Sequence, residues 1–148
     1  MSTVNAIETK DLCKRYKNKI AIDHLNMTVR AGEFYCLLGV NGAGKTTTIR
    51  MLTCLTQPTS GDALLMGHSV LHDPYGVKAV TNVSPQETAV APKLTVRENL
   101  EMIAGIYGCA RACVPEMIAD LGLEEYADKR AATLSGGWQR RLSIAMAM

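Results

Sequence analysis

G-V-N-G-A-G-K-T, residues 39–46, is the stretch that decides the fold of this 148-residue chain. It fits the phosphate-binding pattern G-x-x-x-x-G-K-[ST]. The apolar run Phe34–Leu38 predicts a buried strand just before it. The residues from Thr47 onward predict a helix that ends near residues 55–57. Strand, glycine loop and helix in this order are the context that the pattern requires, so the stretch predicts a phosphate-binding loop.

The residue types in this loop suit a polyanionic ligand. Glycines let successive backbone N–H groups turn towards a phosphate, and the start of the following helix adds the positive end of its dipole. Lys45 is expected to reach the β- and γ-phosphates of a nucleotide, and the Thr46 hydroxyl is expected to ligate Mg²⁺. The alternative is a glycine-rich turn before an ordinary helix, and a second motif described below favours phosphate binding.

Composition and charge restrict the class of protein. Apolar residues make up 47% of the chain and charged residues 20%, which is ordinary for a globular domain. The net charge of +2 gives no support for nucleic acid or an acidic membrane surface as a partner. No apolar stretch approaches the length of a spanning helix, and Met1–Asn5 lacks the features of a signal peptide. We therefore expect at most one domain, located in the cytosol.

The cysteines predict ordinary reduced thiols. Their number is odd, and no C-x-x-C pair occurs among Cys13, Cys36, Cys54, Cys109 and Cys113. The last two could share a helix face, but the sequence shows no further metal ligands near them. His68 and His72 have the same spacing, but the turn-forming Asp73-Pro74 and Gly76 argue against a long helix and a metal site there.

The first half of the chain predicts a small antiparallel sheet beside the phosphate loop. Ile7–Tyr16 and Ala21–Val29 are strand-like and flank the polar turn Lys17–Lys19. Asp62–Gly67 predicts another short strand, and the apolar run Val77–Val83 is a further strand candidate.

From Thr95 onward the pattern becomes helical. Thr95 followed by Glu98 forms a capping box, and apolar residues then recur at a helical period until two glycines interrupt them. Val114–Leu121 predicts a second helix, with Pro115 in its first turn. We therefore expect an all-helical insert that extends to about residue 130.

A second motif, L-S-G-G-W-Q-R-R, occupies residues 134–141. Its two glycines follow a serine and precede a helical run, which predicts another helix start that suits an anion. By itself this pattern is more ordinary as a plain helix cap. Together with residues 39–46 it points to nucleotide chemistry.

In this order and spacing, the two motifs resemble those of the ATP-binding domain of ABC transporters. The resemblance covers nearly the whole chain, from about residue 7 to residue 148. P-T-S-G at 58–61 and the segment at 82–99 resemble the drug-, ion- and antibiotic-export branch of bacterial exporters. Val40 stands where proline is common and Trp138 where glutamine is common, and we expect little effect from either.

The resemblance implies an α/β fold class. It implies a P-loop NTPase core with an N-terminal antiparallel β subdomain and a helical subdomain, and with the C-terminal part missing. The implied subdivision assigns residues 1–94 to the β subdomain and P-loop core, residues 95–135 to the helical subdomain and residues 136–148 to the start of the signature helix.

The resemblance also implies roles for individual residues. Tyr16 is implied as the platform for adenine, although taken alone it is more ordinary as a half-buried strand residue. Gln86 is implied to sense Mg²⁺ and the γ-phosphate and to link the ATP state to a membrane partner, so that Thr46 and Gln86 are the implied Mg²⁺ ligands. The signature loop, which in this family binds the γ-phosphate held by an opposite subunit, is implied at Ser135, Gly136 and Gly137. The implied ATP-binding loop residues are Gly39, Asn41, Gly42, Ala43, Gly44, Lys45, Thr46 and Thr47, with Thr47 near the α-phosphate.

The function implied is that of an ABC-type ATPase subunit with ATP and Mg²⁺ as cofactors. It would couple ATP binding and hydrolysis to export through a separate transmembrane permease subunit, and a second ATP-binding subunit would complete the dimer. The implied location is cytoplasmic, at the inner face of the cell membrane, and nucleic acid is not expected as a partner.

One departure from the family pattern is large, because no acidic residue follows Asp128. The Walker B strand, its aspartate, the adjacent catalytic glutamate and the later switch histidine are expected after the signature, with that strand beside Phe34–Leu38. We therefore expect the front part of a domain that binds ATP but does not turn it over at a normal family rate by itself. The alternatives are a nucleotide-binding module without catalysis and a soluble ABC-type ATPase acting on ribosomes or DNA. A P-loop kinase or GTPase would leave residues 134–137 unexplained.

Overall fold

The computed structural model describes residues 4–110 and 112–148. It divides into two compact units, the first running through Thr81 and the second from Asn82 to Met148. The first unit contains strands and helices β1 Asn5–Tyr16, β2 Lys19–Arg30, α1 Lys45–Leu52, β3 Ser60–Leu65, β4 His68–Ser69 and α2 Pro74–Val80. The second unit contains α3 Val96–Tyr107, α4 Cys113–Asp120, short 3-10 helices at Glu124–Tyr126 and Ala131–Thr133, and α5 Gly136–Ala145.

The first unit is built on an antiparallel sheet with strand order β2-β1-β3-β4. The predicted hairpin is confirmed, with a two-residue turn after Tyr16 and register pairs such as Glu8 with Thr28. The predicted strand at 62–67 begins two residues earlier and ends at Leu65. The core of this unit contains Leu12, Met51, Leu52, Ala63, Leu65, Val70 and Val77. Apolar residues of α1 and of the sheet therefore share one core, which stabilises the helix that follows the glycine loop.

Helix α1 ends at Leu52, earlier than the sequence predicts. The cause is Cys54, whose φ of +57° is left-handed. Its N–H donates to Met51 O at 3.1 Å, and the Leu55 N–H donates to Arg50 O at 2.8 Å. This pair of hydrogen bonds is the Schellman motif, which is usually signalled by glycine. A cysteine in the left-handed position gives no such signal, so the early stop could not be recognised from the sequence.

The prediction of a strand over Val77–Val83 is wrong, because residues 74–80 form helix α2. Asp73 caps this helix by accepting a hydrogen bond from Gly76 N, and Pro74 occupies its first turn. Hydrogen bonds from His68 and from Gly76 N lower the pKa of the Asp73 carboxyl. The capping signal in Asp73-Pro74 therefore outweighs the apolar run that follows it.

The prediction of a buried strand at Phe34–Leu38 is also wrong. Residues 33–40 have no regular secondary structure, and no described strand pairs with them. Phe34 is 98% exposed and Leu38 is 84% exposed. A strand requires a neighbour to receive its backbone hydrogen bonds, so an apolar run forms one only where such a neighbour lies beside it.

The second unit has a helical core, as the sequence predicts. Thr95 accepts a hydrogen bond from Glu98 N at 3.1 Å, and Glu98 accepts one from Thr95 N at 2.7 Å, which confirms the capping box of α3. Gly108 ends that helix in a left-handed conformation. The core contains Val96, Leu100, Ala104, Val114, Ile118, Leu123, Ala127, Ala131, Leu134, Leu142 and Ala145. The predicted subdivision at residues 94–95 stays a prediction.

Among the described residues, no helix is both long and apolar enough to span a membrane.

Candidate functional site

The glycine loop at residues 39–46 is shaped by left-handed backbone. Gly42 has a φ of +86° and Gly44 a φ of +89°, a region that other residues rarely adopt. The chain makes a turn at residues 40–43, in which Ala43 N donates to Val40 O at 3.2 Å. Left-handed residues on either side of Ala43 allow successive N–H groups to turn to one side, as they do in an anion-binding nest.

The loop approaches β2 closely at Gly44. A Cβ built on this glycine would overlap the Ile22 side chain and would lie 2.6 Å from Ala21 O. The loop can therefore pass this point only without a side chain. This contact makes Ala21 and Ile22 supports of the loop, a role that the sequence does not show because it depends on how β2 packs against a distant turn.

Helix α1 begins directly at the end of the loop. Gly44 is its N-cap and supplies no side-chain cap, and its first turn contains no acidic residue. Thr48 closes the first turn by donating its N–H to Gly44 O at 2.8 Å and its hydroxyl to the same oxygen at 3.1 Å. The preceding N–H groups, of Lys45, Thr46 and Thr47, have no partner within the helix. They add to the positive potential at this helix start and can donate to an anion.

The Lys45 side chain folds back over the loop. Its Nζ donates to Gly39 O at 2.5 Å and to Val40 O at 2.8 Å. The ammonium group is therefore held at the loop by two carbonyl oxygens instead of extending into solvent. Donors of this kind exchange readily for a phosphate oxygen, because an anionic acceptor forms a stronger, charge-assisted hydrogen bond.

Tyr16 lies at the end of β1 and is 45% exposed. Lys14 Nζ lies 5.0 Å from the centre of its ring, within the range of a cation–π interaction. A half-exposed ring can offer a face to a nucleotide base, so the structure is compatible with both interpretations of Tyr16. The stacking role stays a prediction.

Gln86 belongs to the second unit and is exposed, in a stretch without regular secondary structure. The residues just before it are held by α5. The Arg140 guanidinium donates to Pro85 O, and the hydroxyls of Ser84 and Ser143 lie 3.4 Å apart. The segment that carries Gln86 is thereby tied to the helix of the second motif. Its role towards Mg²⁺ stays a prediction.

The second motif opens α5, with exposed Ser135 at the N-cap and exposed Gly136 and Gly137 in the first turn. The Ser135 side chain makes no capping hydrogen bond. Gln139 Nε2 donates to Ala131 O at 3.0 Å and to Leu134 O at 3.3 Å, which fixes the backbone that leads into the loop.

Trp138, which follows Gly137 in α5, packs this helix against other residues of the second unit. Its ring centre lies 4.3 Å from that of Tyr126, and the Arg141 guanidinium lies 4.5 Å from the centre of the Trp138 ring. Lys129 Nζ lies 4.5 Å from the Tyr126 ring. Trp138 is therefore packed, which explains how it can stand where glutamine is common in the family.

A glycine loop against a β-strand, an uncapped helix start and a lysine folded over the loop define a phosphate-binding loop of the P-loop class. A protein-family model described as "ABC transporter" matches residues 22–148. The chain belongs to the ABC transporter family, and it matches that family's ATP-binding subunits.

Relatives come from bacteria and mammals. The chain is 40% identical over 150 residues to the Nod factor export ATP-binding protein I of Burkholderia pseudomallei (strain 1710b), covering 99% of this chain and 49% of the relative. It is 43% identical over 144 residues to the daunorubicin/doxorubicin resistance ATP-binding protein DrrA of Streptomyces peucetius, covering 95% and 44%. It is also 43% identical over 145 residues to ATP-binding cassette sub-family A member 7 of Rattus norvegicus, covering 94% and 7%.

Solved structures agree with this assignment. An ATP-binding subunit of an ABC transporter matches with a TM-score of 0.83 at 27% identity, covering 96% of this chain and 61% of that one. A dimeric bacterial ABC transporter cassette matches with a TM-score of 0.79 at 27% identity, covering 96% and 68%. The α/β fold class with its antiparallel sheet and helical part is thus confirmed. The chain spans about half the length, or less, of the curated relatives described above.

Proposed function

We propose that this chain binds Mg-ATP at residues 39–47, with Tyr16 stacked on the adenine. The observation that carries the proposal is the uncapped start of α1, where a nest of N–H groups and the Lys45 ammonium meet at one loop. Phosphate oxygens are the ligands that such a cluster of donors favours. The family assignment supports a nucleotide as the source of those phosphates.

Thr46 fits the Mg²⁺ that accompanies ATP. Its side chain is exposed in the first turn of α1, next to Lys45. A hydroxyl is a hard oxygen donor of the kind that Mg²⁺ accepts alongside phosphate oxygens and water. The amide oxygen of Gln86 has the same chemistry, and its role as a Mg²⁺ ligand stays a prediction from the family resemblance. When bound, Mg²⁺ neutralises part of the triphosphate charge, while Lys45 and the loop N–H groups hold the phosphates in position.

Lys45→Ala tests the proposal directly. The variant loses a charge-assisted contact with the phosphates, so we expect ATP binding to weaken by about 1.5–3 kcal/mol. Isothermal titration calorimetry with Mg-ATP measures this difference. Lys93→Ala is the matched control, because it removes an exposed lysine that lies in the other unit. Equal ATP affinity in the wild type and Lys45→Ala would show that the loop does not bind phosphate.

Tyr16→Ala tests the adenine platform separately. Stacking on an aromatic ring contributes about 1–3 kcal/mol per base and tolerates different bases. We therefore expect Tyr16→Ala to weaken ATP and GTP binding alike, and Tyr16→Phe to preserve both. If Tyr16→Ala binds ATP with wild-type affinity, Tyr16 is an ordinary strand residue. The proposal for the phosphate loop would not be affected.

We further propose that the protein to which this chain belongs is the ATPase subunit of an exporter. Two of the curated relatives carry export or drug resistance in their names, and one solved relative is dimeric. In this proposal Ser135–Gly137 contact the γ-phosphate held by a second ATP-binding subunit at the cytoplasmic face of the membrane. Gln86 then connects the nucleotide to a transmembrane permease subunit. Copurification of the membrane partner with the wild type, and its loss in a Gln86→Ala variant, is the expected result.

A further inference from the structure

An irregularity in the β1–β2 hairpin brings three metal-binding side chains together. Between Leu12 and Lys14 of β1 the register shifts, and β2 contributes two residues opposite Cys13 alone. The two residues are Asp23 and His24. An extra residue in one strand is a β-bulge, which changes the direction of side chains and is common beside functional sites.

The bulge is held in an unusual conformation. His24 has a φ of +42°, which is left-handed and uncommon for a residue with a side chain. Its backbone N–H donates to Cys13 Sγ at 3.1 Å, across the hairpin. Its Nδ1 and Asp23 Oδ1 lie 2.8 Å apart. The ligand atoms of Cys13, Asp23 and His24 all lie within 4.8 Å of one another.

We propose that Cys13, Asp23 and His24 form a binding site for a Zn²⁺-class divalent cation. One sulfur, one nitrogen and one oxygen donor match a borderline-soft metal and do not match Mg²⁺ or Ca²⁺, which take oxygen ligands. Metal–ligand bonds of about 2.0–2.3 Å place tetrahedral ligands about 3.5 Å apart. The widest separation, at most 4.8 Å, therefore needs to close by about 1.3 Å, whereas His24 Nδ1 and Asp23 Oδ1, which lie 2.8 Å apart, need to open by about 0.7 Å. Rotation of the exposed Asp23 and His24 side chains can supply both movements.

The surroundings leave room for a fourth ligand. The three residues line a cavity of about 210 Å³, which Thr59 and Ser60 border as well. Three protein ligands and one open position are typical of zinc sites that bind water or another small ligand. The site lies on two paired strands, so its ligands are held by a hydrogen-bonded scaffold.

Charge also fits a divalent ion. A thiolate and a carboxylate together carry two negative charges, which one divalent cation neutralises. Two cationic residues, Lys14 and Arg15, line the same cavity. Lys14 is engaged elsewhere, because its Nζ donates to Gln57 O at 2.5 Å and lies over the Tyr16 ring. Arg15 adds a positive charge to the wall, so we expect moderate rather than very tight binding.

Co²⁺ is the probe of choice, because it takes zinc geometries and reports a thiolate ligand by a charge-transfer band in the near ultraviolet. We expect the purified chain to bind one equivalent of Co²⁺ with this band, and Zn²⁺ to displace the Co²⁺. Cys13→Ser should abolish the band. His24→Asn should weaken binding by at least tenfold, and asparagine is chosen because it tolerates the left-handed φ at this position.

Matched controls remove the same residue types elsewhere. Cys109→Ser removes an exposed thiol, and His72→Asn removes an exposed imidazole. Neither control should change the band or the affinity. A band that persists in Cys13→Ser, or that disappears in Cys109→Ser, overturns the proposal, as does wild-type affinity in His24→Asn.

A measurement on the wild type alone keeps the proposal testable if a variant fails to fold. With Zn²⁺ present, alkylation of Cys13 should slow at least tenfold, while alkylation of Cys36 and Cys109, which are exposed, should not. Mass spectrometry of the modified peptides measures each rate. Equal rates at Cys13 with and without Zn²⁺ overturn the site. The result is independent of ATP binding, because none of the three ligands belongs to the phosphate loop.

Discussion

Helices α1 and α5 both have glycines at their start, but the glycines differ in their conformation and in the space around them. Helices α1 and α5 both start without a side-chain cap and without an acidic residue in the first turn. Before α1, Gly44 has a left-handed φ and no room for a Cβ. At the start of α5, Gly136 and Gly137 have no left-handed φ, and a Cβ on either would meet no described atom within 4 Å.

The difference separates two reasons for a glycine. Gly44 is required by the backbone of this chain, because any side chain there would be strained and would collide with β2. Among the described residues, neither the backbone conformation nor a close contact requires glycine at positions 136 and 137. A need for glycine there can come from a molecule that approaches the loop, and the proposed ATP of a second subunit is such a molecule.

Gly44→Ala should have the largest effect. Left-handed backbone costs about 1–2 kcal/mol for a residue with a side chain. The collision with Ile22 and with Ala21 O adds about 1–3 kcal/mol. We therefore expect the free energy of unfolding, measured by urea denaturation, to fall by about 2–5 kcal/mol.

Gly32→Ala is the control for this prediction. Gly32 has a φ of +80° but nothing within 4 Å of a Cβ, so it should show only the backbone cost of about 1–2 kcal/mol. Equal losses in the two variants would mean that a Cβ at residue 44 does not collide with β2 at any measurable cost.

Local signals in the sequence predicted local structure well. Thr95 and Glu98 lie three residues apart and satisfy each other's backbone groups, so the start of α3 needs no tertiary information. The pattern of residues 39–46 is local in the same sense. Residues 77–80 belong to a helix and not to the predicted strand, because the capping signal at Asp73 outweighs the apolar composition of Val77–Val83.

Features that depend on distant contacts could not be predicted in this way. An apolar run such as Phe34–Leu38 becomes a strand only beside another strand, and its own residues do not reveal whether one is present. The cluster of Cys13, Asp23 and His24 depends on the exact register of a hairpin with a bulge. Cys13 and Asp23 are ten residues apart in the sequence, and neither this separation nor the residue types reveal the register of the hairpin.

Thr95→Ala and Ser135→Ala compare the N-caps of α3 and α5, and the expected differences in the free energy of unfolding are smaller. Thr95 makes a capping hydrogen bond, so its loss should lower the free energy of unfolding by about 1 kcal/mol. Ser135 makes none, so its replacement should change stability by no more than a few tenths of that amount. Urea denaturation of both variants measures the difference. A loss at Ser135 as large as that at Thr95 would contradict the view that the Ser135 side chain contributes nothing to the stability of α5.

Gly137→Ala should have the smallest effect, and of opposite sign. Alanine restricts the unfolded chain more than glycine does, and the folded chain has a helical backbone and open space at this position. We therefore expect stability to rise by about 0.5 kcal/mol and ATP affinity at residues 39–47 to stay unchanged. Gly105→Ala is the matched control, because Gly105 is a helical glycine of the same unit with equally open space around it.

If a second subunit's ATP contacts residues 135–137, only Gly137→Ala should impair ATP-dependent dimerisation, measured by analytical ultracentrifugation. If the two variants dimerise equally well, the glycines of the second motif serve neither this chain nor a partner's nucleotide. A fall in stability in Gly137→Ala alone would instead mean that α5 needs its glycine for folding, and the contrast with Gly44 would disappear.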